Sequence, residues 1–246
     1  IGKDAGTAIT TGDGNVAVGF EALKTEDANG KNIAIGYQAL KTLDVGSDGF
    51  NTVIGYQAGT SMNTGTVNTL IGHQAGDALT TGNNNVAVGH EALGAEIQGD
   101  KNVAIGVGAL QSQSNSSDTD ANNVAVGYNA GLAMTTGVNN TAVGSFALTA
   151  NTIGNSNVAI GNDAMDSNTE GEKNVAVGVD ALQANTTADG NTAIGWSALQ
   201  AVAAGDENTA VGAYAAYNNV GEYNTAVGYY AYADGVSGDY NTCFGY

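Results

Sequence analysis

Asn15-Val16-Ala17-Val18-Gly19 is met again and again along the chain. It recurs as Asn32-Ile33-Ala34-Ile35-Gly36, as Asn102-Val103-Ala104-Ile105-Gly106 and as Asn191-Thr192-Ala193-Ile194-Gly195. There are fourteen copies, their asparagines spaced by 16 to 21 residues and most often by 17. With Asn as position 0, Gly stands at +4 in every copy, and Ala at +7 in all thirteen that reach so far. A length of 246 residues would suit one or two globular domains. Self-similarity at a fixed period overrides that prior and points to stacked repeats.

Position +1 is Val, Ile or Thr, and +3 is always large and apolar, from Val18 and Ile35 to Phe244. Side chains alternate along an extended segment, so +1 and +3 share one face and +2 takes the other. A short β-branched run closed by Gly reads as a strand of about four residues ending in a turn. The large side chains are expected inside, leaving Ala at +2 where another backbone comes close. Position +8 is Leu in seven copies, as in Leu23, Leu40, Leu93 and Leu182, but Gly at Gly59, Gly76 and Gly131. Those Gly units carry Met62, Leu79 and Met134 at +11, where Leu units mostly carry polar residues such as Glu26, Glu96 and Gln113. Leu43 and Val202 are exceptions. The trade implies that +8 and +11 reach one interior volume. Each unit is then one coil of a solenoid rather than an independent hairpin. Gly at -3 followed by an acidic or amide residue is turn chemistry, as in Gly205-Asp206-Glu207. Phe20–Thr25 is too short for a stable helix and reads as strand or irregular coil. The longer spacings put extra residues at Asp44–Asp48 and Gln113–Thr119, as insertions on one face of a stack do.

The expected fold is all-β: one parallel β-solenoid over residues 1–246, of about 14 coils with 17-residue repeats. At one strand spacing per coil it would be a rod of roughly 65–70 Å. Ile1–Gly6 matches the back half of a unit, and Cys243–Tyr246 stops inside another. The chain therefore reads as an excerpt of something longer. The one cysteine, Cys243, excludes an internal disulfide and reads as a packed thiol.

Composition narrows the function classes. There are 24 acidic residues, six lysines and no arginine, for a net charge of -18. Such a surface stays hydrated and is a poor partner for nucleic acid or anionic lipid. No apolar run approaches the ~18 residues of a membrane span. Disorder, which the charge alone would suggest, does not fit recurring Val and Ile columns.

Four columns are candidates for chemistry. The asparagines, among them Asn15, Asn32, Asn102 and Asn191, are expected to form a ladder along the stack. Gly19, Gly36, Gly106 and Gly195 are expected to make the turns beside it. Position -2 reads Glu172, Asp189, Asp206, Glu222 and Asp239 in the last five coils. Carboxylates one strand spacing apart repel, and a Ca²⁺ row would relieve them. The simpler reading is a solvated acidic face with no essential metal and no cofactor. On that reading EDTA leaves the melting temperature unchanged. His73 and His90 lie in a mostly aromatic +5 column with Phe20, Tyr37 and Tyr56, and with no third ligand they read as stacked rings. Tyrosines gather near the end, at Tyr214, Tyr217, Tyr229, Tyr230 and Tyr232 among others. They could contact a glycan or receptor, or simply pack.

Asn-x-Ala-[Ile/Val]-Gly-x-x-Ala resembles the head repeat of YadA-type trimeric autotransporter adhesins and repeats of bacteriophage tail fibres. The resemblance spans essentially the whole chain, with a longer period here than in the adhesins. It implies a left-handed β-roll, three chains side by side, displayed on a cell or virion surface. It also implies that the residues flanking the central Ala, such as Val103 and Ile105, fill the roll, with the Ala column facing a neighbouring chain. The expected function is therefore a structural and adhesive fibre segment: an adhesin head or shaft, or a phage fibre or tailspike segment for host recognition. Polysaccharide hydrolysis would want a carboxylate pair in a groove. The acidic residues here are spread over turns, so an enzyme is not expected. An ice-binding array would want a regular Thr face. Thr occupies +1 in only seven copies, on a face assigned inward.

Overall fold

The computed structural model describes residues 1–27, 30–117, 119–201, 205–234 and 237–246. Val202 and part of the Gln113–Thr119 insertion lie outside them. The protein is an all-β parallel solenoid of about thirteen turns with no helix among the described residues. It divides into two compact units, Ile1–Asn123 and Val124–Tyr246. Each motif contributes a three-residue strand at +1 to +3, and strands of successive coils pair in parallel without slippage. In the first unit Val16, Ala17 and Val18 face Ile33, Ala34 and Ile35. In the second, Thr141, Ala142 and Val143 face Val158, Ala159 and Ile160. Two two-residue strands, Gly99–Asp100 and Thr119–Asp120, pair beside the first unit's long insertion.

The faces of the strand are reversed from the expectation. Ala34, Ala104, Ala142 and Ala193 at +2 are fully buried, whereas Ile54, Ile71, Ile105 and Ile194 at +3 are more than a third exposed. The reason lies in the opposite wall of the coil. Leu23, Leu40, Leu93 and Leu182 at +8 and Ala22, Ala39 and Ala92 at +7 fill the narrow interior, leaving room for a methyl from the strand. In two of the three coils where +8 is Gly the strand residue grows, while the Gly131 coil keeps Ala125 and fills the space with Met134. Val53 and Leu70 occupy +2 in the two that grow, and a Cβ on Gly76 would lie 3.0 Å from Leu70 Cδ2. Met62, Leu79 and Met134 at +11 are buried in the three coils, so +2, +8 and +11 share one volume.

Backbone amides run along the stack because three positions per coil are left-handed. Lys31 at -1, Gln38 at +6 and Leu40 at +8 have φ of 64°, 56° and 48°. Each residue in that region costs about 1–2 kcal/mol, and here it turns an N–H toward a neighbouring coil. Lys31 donates to Asp13 O, Gln38 to Phe20 O and Leu40 to Ala58 O. At +4 only Gly fits. Its φ is positive, and a Cβ there would sit 2.3 Å from the next coil's carbonyl at Gly161 and 2.0 Å at Gly55.

Candidate functional site

The asparagine ladder is present in both units. Along both units the Asn amide N–H is donated to the Oδ1 of an Asn in the previous coil, at 3.0 Å for Asn32 to Asn15, 2.9 Å for Asn102 to Asn85 and 2.8 Å for Asn191 to Asn174. The Nδ2 group donates to the -3 carbonyl of the next coil, as Asn157 does to Gly171 O at 2.7 Å. Asn32, Asn102 and Asn191 are fully buried, so this column is scaffold. A second buried column at +11 was not foreseen. Asn168 Nδ2 donates to Asn151 Oδ1 at 2.8 Å, and Asn185 Nδ2 to Asn168 Oδ1 at 2.7 Å.

The acidic column is stitched in the opposite sense. Asp189 Oδ1 accepts Glu172 N–H at 2.7 Å, Asp206 Oδ1 accepts Asp189 N–H at 2.9 Å, and Asp239 Oδ1 accepts Glu222 N–H at 2.9 Å. Backbone donors thus offset part of the carboxylate charge. Among the described residues, the one group of three acidic side chains close enough to share a single metal ion is Glu26, Asp27 and Asp44, outside that column.

Positions -1, +1, +3 and +5 all point outward and form the broad face of the solenoid. In the first unit the +5 column is a stack of rings up to Val107. Phe20, Tyr37, Tyr56, His73 and His90 follow one another at centroid separations of 4.9–5.2 Å and interplanar angles of 6–16°. The histidines are rungs of that stack. Across both units, none of the 24 acidic residues occupies +1, +3 or +5. The +1 threonines lie on this outer face rather than inside, and at seven of fourteen coils they form no regular array.

Around the corner lie +6 and +9. In the first unit these positions satisfy one another. Glu21 is paired with Lys24 at 2.6 Å and Lys41 at 2.9 Å, and Gln38 and Gln57 extend the chain of amides. Hydrogen bonds from the two lysines and Gln38 hold the Glu21 carboxyl down at about 2. In the second unit the same positions carry Phe146, Asp163, Asp166, Asp180, Gln183, Gln200, Tyr214, Tyr217 and Tyr230. Every salt bridge among the described residues lies in the first unit. Burial, and then the charges of Asp163 and Asp180, push the Asp166 carboxyl up. Of the expected contact residues, Tyr214, Tyr217, Tyr229 and Tyr230 come together. Tyr214 stacks on Tyr230 at 4.7 Å and 17°, with Tyr217 at 5.6 Å and Trp196 at 4.9 Å. Tyr229 meets Tyr230 edge-on at 4.7 Å. Tyr232 stands apart in the +8 column, its hydroxyl accepting from Asn241 Nδ2 at 2.9 Å.

The fold defines a class, the parallel β-solenoids built of short repeats. No family model matches the chain, and neither a curated protein nor a solved structure matches it. No helix among the described residues is long and apolar enough to cross a membrane.

Proposed function

We propose that this chain is a structural and adhesive fibre segment displayed on a cell or virion surface, with copies associating as a homotrimer through the broad sheet face. The observation that carries the reading is the absence of acidic residues from +1, +3 and +5 in a chain of net charge -18. Two such copies repel through their net charge, and the strip without carboxylates is where that repulsion is least. It is rich in Val and Ile, and a contiguous exposed apolar strip marks an interaction surface. The three-fold arrangement and the choice of an adhesin head or phage fibre rest on the resemblance of the motif. A repeated scaffold stitched by buried amides suits a load-bearing fibre and gives no unique catalytic centre.

The test is mass in solution by light scattering. A trimer is expected, and replacing Ile105 and Ile160 by Asp should yield monomers that keep the wild-type circular dichroism. A wild-type monomer would overturn the assembly, and a dimer would keep the seam but remove the three-fold.

A further inference from the structure

The +6 and +9 edge of residues 124–246 has a composition that packing alone does not call for. Phe146 is 38% exposed and meets Tyr128 edge-to-face at 5.3 Å. Beside it, Phe146, Thr149, Asp163 and Asp166 line a hollow of about 280 Å³. Gln183 and Gln200 continue the edge, joined Nε2 to Oε1 at 2.7 Å. The edge then reaches the rings of Tyr214, Tyr217 and Tyr230. From Phe146 to Tyr214 is four coils, or about 19 Å at one strand spacing each.

We infer that this edge is a binding track for a polysaccharide of hexopyranose units bearing hydroxyl or ammonium groups. A pyranose has an apolar C–H face and a rim of hydrogen-bond donors. Phe146 offers a flat apolar wall at one end of the track, and Tyr214, Tyr217 and Tyr230 offer a second wall at the other. Between them stand acceptors: the carboxylates of Asp163, Asp166 and Asp180 and the amide oxygens of Gln183 and Gln200. A few convergent polar groups against aromatic walls are what orient a ligand in a site. No lysine stands on this edge, since the second unit's only one, Lys173, is at -1. Donors from a sugar would therefore relieve the crowding of three carboxylates, whereas a polyanionic glycan would add to it. In the first unit Glu21 already has its lysines, and Asp77 and Glu91, which have none and line a hollow of their own, have no ring at +6 or +9 beside them. The aromatic walls of the track belong to the second unit alone. It lies around the corner from the face proposed to join copies, so it deepens the adhesive part of the proposed function without depending on the trimer.

The test is calorimetric titration of the whole chain with cellohexaose, a glucosamine hexamer and a galacturonate hexamer. Saturable binding of either of the first two, with none of the third, supports the track. Tighter binding of the glucosamine hexamer shows the carboxylates meeting ammonium, and equal binding shows them meeting hydroxyls. Both Phe146→Ala and Tyr214→Ala should weaken binding about tenfold, some 1.4 kcal/mol each. Gln57→Ala, on the same edge of the first unit, should leave it unchanged. Circular dichroism and solution mass, recorded for every variant, separate loss of the site from loss of fold or of assembly. No binding of either uncharged or amino sugar, equal binding of galacturonate, or unchanged affinity in folded Phe146→Ala and Tyr214→Ala variants would overturn the inference.

Discussion

The two units share a scaffold and differ in what they place on its corner. In the first, rings stack on rings from Phe20 to His90 and Glu21 is held between two lysines, so each group has its partner within the edge. In the second, the +5 column is interrupted by Ser145, Asn162, Val179 and Ala213, and rings regroup with +6 and +9 neighbours. Among the described residues no salt bridge reaches the carboxylates there, nor Asp77 in the first unit. The interior can stay constant while the corner varies because the coil is held from within and along its axis, by the buried Asn amides and the axial N–H bonds. Outer side chains are free of that duty.

The largest expected effect tests whether the scaffold really is shared. Gly55→Ala and Gly161→Ala place a methyl against the next coil's carbonyl in the first and second unit, and each should cost on the order of 3 kcal/mol in denaturant unfolding. A cost confined to one unit would break the equivalence. Next comes the buried +11 column, where the units do differ. Glu96 is fully buried, and its Oε1 accepts the N–H groups of Ile97, Gln98, Gly99 and Asn115 at 2.8–3.1 Å. The second unit uses neutral amides, Asn151, Asn168 and Asn185, at the same position. Glu96→Gln sets an amide among four donors and should cost about 2 kcal/mol. Smaller again is Tyr56→Ala, which cuts the first unit's ring stack and should cost about 1 kcal/mol.

Much of the fold was legible because the period carries it. The 17-residue recurrence gives the solenoid, and the +8/+11 exchange gives the shared interior. The direction of the strand faces was not read correctly, because alternation says which residues share a face and not which face is buried. Size favoured Val and Ile inside, but the Leu wall at +8 had already filled that space. A usable signal was present: Asn at 0 has the same parity as Ala at +2, and a stacked amide column is best satisfied where water is absent. The left-handed φ at Leu23 and Leu40 had no such signal, since Leu is a poor indicator of that region. The tyrosine cluster was visible from its density near the chain end. Phe146, Asp163 and Asp166 were missed because they stand one per coil and join only when +6 and +9 are read as columns.

The subtlest expected effect is a response to pH that has opposite signs at Glu21 and Asp166, while Asp77 in the first unit is raised as Asp166 is, chiefly by burial and then by the charge of Glu91. Glu21 is lowered from 4.5 to about 2 by its hydrogen bonds to Lys24, Lys41 and Gln38. A carboxyl lowered on folding contributes stability that is fully present above its unfolded value and is lost as pH falls through the folded one. The melting temperature of wild type should therefore exceed that of Glu21→Gln from neutral pH down to 4.5, and the gap should close as pH approaches 2. Asp166 is raised above 3.8, chiefly by burial and then by Asp163 and Asp180. Its contribution is fully present below 3.8 and is lost as pH rises through the folded value, because ionising it in place is unfavourable. Asp166→Asn should therefore melt higher than wild type at neutral pH and lose that advantage below 3.8. A thermal melt series from pH 7 to 2 on the three proteins reads both effects. Gaps that stay constant across the series would mean that neither Glu21 nor Asp166 is shifted by its neighbours, and the contrast between the units would then rest on the rings alone.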